Sequence, residues 1–146
     1  VRSTGSRAVG LGIAVTERAV DTEPHRVAEV LAEVRRAGIP VALDDFGTGM
    51  ASLQQLAELP VTDLKIDGSF VSRMIESPKH RTMVEIIVLL AQRLGLKVTA
   101  ESIESLDQLS LLTTLGCTIG QGYFISPPRR LADLLRWSPA PVHPLL

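Results

Sequence analysis

IPVALDDFGTG, residues 39–49, decides the fold class of this chain. Its apolar half predicts a buried strand over residues 41–45, and a glycine-rich turn follows. Asp44 and Asp45 close the strand as adjacent carboxylates, which repel each other and are poorly solvated when half-buried. Such a pair needs a compensating cation, most simply a divalent metal. The stretch therefore predicts a strand with a charged site at its carboxyl end.

Two alternatives to a metal site apply to this stretch. Asp-Phe-Gly also occurs in the magnesium loop of protein kinases, but no His-Arg-Asp loop and no glycine-rich phosphate loop precede it here. A doubled aspartate can also end a strand and cap the next helix. Taken alone, the stretch is compatible with helix capping. The choice between a cap and a metal site therefore depends on the other motifs of the chain.

Apolar strand patterns alternate with helical patterns along the chain. Strands are predicted at residues 11–16, 41–45, 63–67, 97–101 and 118–124. Helices are predicted from Asp21 or Thr22 to Gly38, and over residues 52–59, 77–95, 105–116 and 130–137. This alternation favours parallel strands with right-handed crossovers, either in a doubly wound sheet or in a (β/α) barrel.

Helical spacing also predicts which side chains face the core. The predicted core positions are Val27, Val30, Leu31 and Val34 in the first helix, Met83, Ile86, Ile87, Leu90 and Leu94 in the helix at residues 77–95, and Leu109, Leu112 and Leu115 in the next.

The composition indicates a globular chain. Of the 146 residues, 45% are hydrophobic, which argues against disorder. The net charge is -1, which argues against electrostatic binding of nucleic acid or anionic lipid over a broad surface. The longest apolar stretch, residues 86–91, is too short to span a bilayer, and no signal pattern opens the chain. Cys117, the single cysteine, is expected to be a buried structural thiol rather than a nucleophile. We expect a cytoplasmic location.

Polar side chains stand where the predicted strands end. They are Glu17, Asp44, Asp45, Lys65, Asp67, Glu101, Glu104 and Gln121. Singly, Lys65 can be explained as a rim salt bridge and Glu101 as a helix cap. In a parallel α/β architecture, however, the carboxyl ends of all strands share one rim, where ligands bind. We therefore expect these side chains to converge.

The chemistry of this set favours a hard cation. Acidic groups with one lysine and one glutamine suit magnesium or manganese rather than zinc. The histidines, His25, His80 and His143, are scattered and expected to face solvent. Such a site suits phosphate ester chemistry, in which metals generate hydroxide and a lysine neutralises charge on the phosphoryl oxygens.

Five ordered motifs resemble the EAL domain of bacterial cyclic di-GMP phosphodiesterases. They are TE at residues 16–17, DDFGTG at 44–49, LPVTDLKID at 59–67, AESIE at 100–104 and GCTIGQGY at 116–123. The resemblance implies a (β/α)8 TIM-barrel fold and hydrolysis of cyclic di-GMP to the linear dinucleotide pGpG by two divalent ions. It places a partial EAL domain at residues 9–137, between a loose tail at 1–8 and a proline-rich tail at 138–146.

The resemblance also implies roles for individual residues. The implied metal ligands are Asp44, Asp45 and Glu101; Lys65 and Glu101 are the implied catalytic residues; Asp67 and Gln121 line the substrate site; Glu17, Thr48 and Glu104 support the loop and the site. The implied cofactor is Mg²⁺ or Mn²⁺, bound weakly here, and the implied partner is cyclic di-GMP, with neither DNA nor a membrane.

The chain departs from the family pattern at several points. The fourth barrel strand usually reads Glu-x-Thr-Glu, but Ala14 stands in place of the first glutamate, a metal ligand. The Glu-Ala-Leu motif and an Asn of the earlier strands are absent, so the chain supplies about five of eight strands. Ser102 stands where the family commonly has glycine. Because the chain begins with Val1 rather than Met, we expect it to be a piece of a longer protein.

Three functions follow as hypotheses. The first is a truncated or degenerate phosphodiesterase module that does not hydrolyse cyclic di-GMP unaided. The second is a non-catalytic module that binds the nucleotide or a protein. The third is an active phosphodiesterase completed by upstream sequence. In the isolated chain, the open barrel edge invites a second copy or a partner domain.

Overall fold

The computed structural model describes residues 12–48, 53–134, 136 and 137, and a five-stranded parallel sheet runs through them. The strands are β1 Ile13–Thr16, β2 Val41–Phe46, β3 Asp63–Ile66, β4 Lys97–Ala100 and β5 Ile119–Gly120. The helices are α1 Glu17–Thr22, α2 Pro24–Arg36, α3 Leu53–Glu58, α4 Gly68–Val71, α5 Pro78–Arg93, α6 Leu106–Leu115 and α7 Leu131–Leu134.

The strands lie side by side in the order in which they occur in the sequence. Each pairs in parallel with the next, so that Thr16 is level with Asp44, and Lys65 with Thr99. At least one helix separates each pair of consecutive strands. The predicted alternation is therefore confirmed, and the carboxyl ends of the strands lie along one edge of the sheet.

One irregularity interrupts this regular sheet, and it falls on the acidic pair. The register between β2 and β3 shifts between Leu43 and Phe46. Within that interval Asp45 adopts a φ of 56°, in the left-handed region that non-glycine residues rarely occupy. A bulge of this kind re-aims side chains at the end of a strand. It lets Asp44 and Asp45 serve the same site although they are neighbours in a strand.

The core lies between the sheet and its helices. Leu43, Leu64 and Ile66 of the central strands are fully buried. On α2 only Leu31 of the predicted core residues is buried, since Val27 and Val34 are half-buried and Val30 is 52% exposed. On α6, Leu112 is buried, and Leu109 and Leu115 are half-buried and pack against the core.

The predicted core face of α5 is largely wrong. The buried residues are Val84, Ile87, Val88 and Ala91. Among the predicted core residues, only Ile87 is buried and Leu90 is half-buried, whereas Met83, Ile86 and Leu94 are 37%, 54% and 40% exposed. Residues 86–91 are apolar without interruption, so helical spacing is compatible with more than one buried face. Packing of the helix on the sheet selects the face with small or branched side chains.

Other element predictions differ at the ends. The fifth strand is much shorter than residues 118–124, and most of β1 is exposed rather than buried. The two short helices α1 and α4 are absent from the sequence prediction. Leu11, Ser52 and both predicted tails lie outside the described residues. Within the described residues, no helix has the length and apolar character of a membrane span.

Gly122 is the described glycine at which an added side chain would meet backbone atoms most closely. A Cβ there would lie 2.2 Å from both the backbone N and O of Ile103. The same backbone atoms hydrogen-bond to Gln121 O and Phe124 N at 3.1 and 3.0 Å, so Ile103 cannot withdraw without breaking those bonds.

We expect Gly122→Ala to lower the free energy of unfolding by about 2 to 3 kcal/mol, because the methyl group must displace backbone. The measurement is urea unfolding followed by circular dichroism. Gly12→Ala is the control, since its added methyl would meet Pro40 at an ordinary 3.5 Å. Equal stability losses in the two variants would contradict this packing.

Candidate metal and phosphate site

Three strand ends bring one lysine between two carboxylates. Asp44 lies in β2, Lys65 in β3, and Glu101 directly after β4. Lys65 Nζ donates to both carboxylate oxygens of Asp44 at 2.9 Å and lies 2.5 Å from Glu101 Oε1. The three side chains are about one-fifth exposed, at 19% to 22%. They form a partly desolvated ion-pair triad at the predicted rim.

The triad affects the protonation of its lysine. Burial alone lowers the pKa of Lys65, but the hydrogen bonds to Glu101 and Asp44 and the charges of the two carboxylates outweigh burial. The net pKa of Lys65 is therefore raised above its ordinary value. The triad therefore favours the ammonium form of Lys65, which can neutralise phosphoryl oxygens.

Asp45 joins this triad through the bulged backbone. One carboxylate oxygen each from Asp44, Asp45 and Glu101 lies within 4.8 Å of the others. Three negative charges against the one positive charge of Lys65 leave two uncompensated. That remainder equals the charge of one divalent cation.

The donor set fits a hard metal ion. All three groups are carboxylates, and each is half-buried with an open side toward solvent. Magnesium and manganese prefer such oxygen ligands and retain water in their remaining positions. Asp44, Asp45 and Glu101 would hold the ion, and Lys65 would stand beside it. The acidic cluster can therefore bind a metal.

The turn after Phe46 is held from two sides. Gly47 N donates to Glu17 Oε2 at 3.2 Å, and the Glu17 side chain is buried. Thr48 Oγ1 donates to Asp45 O at 2.8 Å. Glu17 begins α1 rather than ending a strand, yet it and Thr48 both contact the acidic turn. Both positions are suited to the loop support that the resemblance implies.

The remaining site candidates are not members of the carboxylate cluster formed by Asp44, Asp45 and Glu101. Asp67 caps α4, with its Oδ1 accepting from Ser69 N at 2.9 Å. Gln121 is exposed and lines a cavity together with Glu101. Glu104 is exposed, and its backbone N donates to Gln108 Oε1 at 2.7 Å in the capping box of α6. The structure thus places Gln121 beside the triad and gives Asp67 a capping contact.

Ser102 is a second strained residue next to the site. Its φ is 55°, in the left-handed region that favours glycine. A Cβ built on Gly68 would lie 2.2 Å from Ser102 Oγ, so the serine side chain occupies the space beside that glycine. The strained residue Ser102 thus follows Glu101 directly, and the Glu101 side chain contacts Lys65.

Local backbone strain is thus concentrated where the charges are. Asp45 and Ser102 are the two described non-glycine residues with positive φ, and each lies next to a carboxylate of the triad. Sparsely populated backbone conformations persist where the surrounding structure enforces them, and they gather at functional sites. Next to these two residues, Gly47 N donates to Glu17 Oε2, and the Ser102 side chain occupies the space beside Gly68.

Cys117 and two histidines lie apart from this cluster. Cys117 is half-buried, and burial raises the pKa of its thiol, which disfavours a thiolate nucleophile. His25 is exposed as predicted, but His80 is half-buried and its Nδ1 lies 2.8 Å from Ser77 Oγ. His143 lies outside the described residues.

Sequence reasoning missed one part of this region. A cavity of about 430 Å³ opens beside Glu101 and Gln121, and Arg129 and Trp137 help to line it. The sequence assigns Arg129 no role beyond the connection to the helix predicted at residues 130–137, because no motif there indicates a ligand. An arginine and the single tryptophan eight residues apart are the only available hint.

Comparison with known proteins identifies the family. The family model of the EAL domain matches residues 1–128. This chain belongs to the EAL domain family.

Relatives and solved structures agree with this assignment. The cyclic di-GMP phosphodiesterase RocR of Pseudomonas aeruginosa is 38% identical over 114 residues, which cover 78% of this chain and 29% of RocR. A structure of the PaMucR phosphodiesterase in complex with c-di-GMP is 34% identical with a TM-score of 0.80, over 84% of this chain and 50% of that one. The EAL domain of DcpA from Mycobacterium smegmatis has a TM-score of 0.79 at 33% identity, over 84% and 55%.

The fold is therefore of the TIM-barrel type found in EAL domains. The chain spans less than a third of RocR and about half of each solved chain. The five-stranded sheet corresponds to part of the barrel, and the alternative of a doubly wound sheet is excluded.

Replacing Lys65 by methionine tests the electrostatic balance of the site. Without its ammonium group, Asp44 and Glu101 repel each other, so we expect Lys65→Met to lower the free energy of unfolding by about 2 kcal/mol in EDTA. Adding Mn²⁺ should then stabilise the variant more than the unchanged chain. Both effects are measured by urea unfolding.

Lys97→Met is the matched control, because Lys97 is an exposed lysine of the neighbouring strand without an ion pair to any described residue. The account fails if Mn²⁺ stabilises Lys65→Met no more than it stabilises Lys97→Met.

Proposed function

We propose that this chain is the C-terminal part of an EAL-type phosphodiesterase domain that acts on cyclic di-GMP, and that the chain alone is catalytically impaired. The single observation that carries the proposal is the triad of Asp44, Lys65 and Glu101, with Asp45 added by the bulge. Its support is the family membership of the chain and the relatives that are named cyclic di-GMP phosphodiesterases.

Each residue of the site has a role in this proposal. Asp44, Asp45 and Glu101 would hold Mg²⁺ or Mn²⁺, and the bound ion would supply a Lewis acid that makes water easier to deprotonate. Lys65 is placed to neutralise charge on a phosphoryl oxygen and to orient the attacking water. Glu101 accepts a hydrogen bond from that water. Asp67 and Gln121 contact the substrate, and Glu17, Thr48 and Glu104 support the site.

Ala14 is the first reason for the proposed impairment. Side chains alternate along a strand, so Ala14 lies on the same face of β1 as Thr16, which is level with Asp44. A glutamate at position 14 would point along this face toward the acidic pair, and a methyl group offers no ligand. The metal site therefore lacks one carboxylate that the family pattern supplies, and we propose that it binds the ion weakly.

The open sheet is the second reason. Among the described strands, β1 and β5 each pair on one side only. An apolar groove of about 540 Å³ lies beside β1, between that strand and α2, and Ile13 is 42% exposed. Unpaired strand edges and apolar grooves attract further strands and helices. We propose that another part of the domain, or a second copy of the chain, covers this edge, and we place the protein in the cytoplasm.

Hydrolysis of cyclic di-GMP tests the proposal directly. We expect the chain alone to release no detectable linear pGpG with Mg²⁺ or Mn²⁺. When the chain is fused behind the part of PaMucR that precedes the matched region, so that the barrel can close, we expect slow turnover. Ala14→Glu in this fusion should raise the rate by roughly tenfold or more, because it restores a metal ligand.

Ala37→Glu in the same fusion is the matched control, since it adds the same charge at an exposed position at the end of α2. Fast turnover by the unfused chain would refute the proposed impairment. A fusion with Ala14→Glu that binds the nucleotide but never hydrolyses it would favour the non-catalytic alternative.

A further inference from the structure

Gln108 is a buried polar residue of α6 that the proposed chemistry leaves without a role. Its side chain lies in the first turn of the helix, and the residue is only 7% exposed. A buried amide is tolerated where hydrogen bonds within the protein replace those that it loses to water. The partners of this side chain therefore show which parts of the fold it connects.

The carbonyl oxygen of Gln108 holds the end of the loop that follows β4. Oε1 accepts from Glu104 N at 2.7 Å and from Ser105 N at 3.1 Å. Gln108 N donates to Ser105 Oγ at 3.2 Å, which completes the capping box of α6. Glu101 belongs to the same loop, three residues before Glu104. The capping box therefore fixes one end of the segment that carries the Glu101 carboxylate.

The amide nitrogen of Gln108 links this loop to another part of the fold. Nε2 donates to Val71 O at 3.2 Å, and Val71 is the fully buried last residue of α4. Only Asp67 separates α4 from β3, the strand that carries Lys65. Gln108 therefore joins the segment after Lys65 to the segment that carries Glu101, and these two residues are paired in the triad.

A capping box does not by itself require glutamine. Glutamate completes the same motif, because the cap needs only an oxygen that accepts from the backbone. The amide adds a donor, which bonds to Val71 O. A carboxylate in its place would bring a second acceptor against that carbonyl oxygen and repel it. The glutamine at position 108 thus serves the contact with α4 in addition to the cap.

The backbone of the loop is bound more closely on the side of β5 than on the side of β3. Ile103 N donates to Gln121 O at 3.1 Å, and Phe124 N donates to Ile103 O at 3.0 Å. Toward β3, Glu101 N donates to Ile66 O at a longer 3.4 Å. The amide link to α4 therefore supports the side on which the backbone bond is weaker.

We propose that Gln108 is a positioning residue of the metal site. It holds the loop that carries Glu101 against the segment that follows Lys65, so that the carboxylate stays within reach of the lysine and of a cation. The inference rests on the proposed function, since it concerns a metal ligand of the same site. Gln108 acts through Glu101 and is not itself a member of the carboxylate cluster.

Gln108→Glu separates the link from the cap. The introduced carboxylate can still accept from Glu104 N and Ser105 N, and these two N–H groups favour its ionised form at pH 8. It can no longer donate to Val71 O. The variant therefore keeps the start of α6 and removes the connection to α4.

Gln92→Glu is the matched control, because it makes the same chemical change at the other end of α6. Gln92 Nε2 donates to the backbone oxygens of Leu115 and Gly116 at 3.2 and 3.4 Å. The control therefore adds the same charge and also removes donation to backbone oxygens, but it leaves the loop after β4 unchanged.

Hydrogen exchange in EDTA measures the link without any metal. Exchange is followed at single amides by NMR of the ¹⁵N-labelled chain at pH 8. We expect Gln108→Glu to speed exchange at Glu101 N and Ile103 N about tenfold, because the loop loses an anchor. In Gln92→Glu, both rates should stay within about twofold of those of the unchanged chain.

Mn²⁺ binding at pH 8 distinguishes positioning from a merely structural role. Free Mn²⁺ is measured by electron paramagnetic resonance during a titration. We expect Gln108→Glu to weaken binding roughly fivefold, although its added negative charge alone would attract the cation. Val41→Ala is a second control, since it removes buried volume at the amino end of β2, away from the site, and so lowers stability alone.

Three outcomes would overturn the inference. They are unchanged exchange in Gln108→Glu, an unmodified chain that binds no Mn²⁺, and a loss of Mn²⁺ affinity in either control that equals the loss in Gln108→Glu. The result is separable from the proposed function. Weaker Mn²⁺ binding in Gln108→Glu alone, with no hydrolysis by the closed fusion, would leave the positioning role and remove the phosphodiesterase. Hydrolysis by the fusion with equal Mn²⁺ affinity in all variants would do the reverse.

Discussion

The ion-pair triad of Asp44, Lys65 and Glu101 is the interaction on which the rest of the site depends. Three neighbouring parallel strands each contribute one charged side chain to it, so it forms only if β2, β3 and β4 are in register. Removing charges from water costs free energy unless they are paired. Lys65 pairs with both carboxylates and so lowers the free-energy cost of placing an acidic cluster at the end of a largely buried sheet.

Much of this arrangement can be predicted from the sequence. The starts of β2, β3 and β4 agree with the predicted ones because buried strands are short apolar runs bounded by turn residues. The capping box at Ser105 and Gln108 marks the start of α6. The expected meeting of Asp44, Asp45, Lys65 and Glu101 follows from a single rule about parallel strands. These side chains lie close together because their strands are neighbours in the sheet, and local sequence patterns predict those strands well.

Other features depend on long-range packing and cannot be predicted in the same way. The buried face of α5 is ambiguous in the sequence because Ile86 and Leu90 are as apolar as Ile87 and Val88, and only docking on the sheet distinguishes them. The exposure of β1 reflects the absence of a neighbouring strand among the described residues rather than its composition. The cavity at Arg129 brings the loop after β5 together with Trp137, which follows α7, and no local pattern predicts that contact.

Membership in the EAL family explains why the site can be recognised from the sequence. The strand ends that carry the acidic pair, the lysine and Glu101 are present, and the carboxylate expected at position 14 is not. The most direct test of the central claim is a crystal structure of the chain grown with Mn²⁺, analysed by anomalous scattering. The account predicts an anomalous peak bounded by carboxylate oxygens of Asp44, Asp45 and Glu101. Manganese bound elsewhere, or these side chains lying apart, would contradict it.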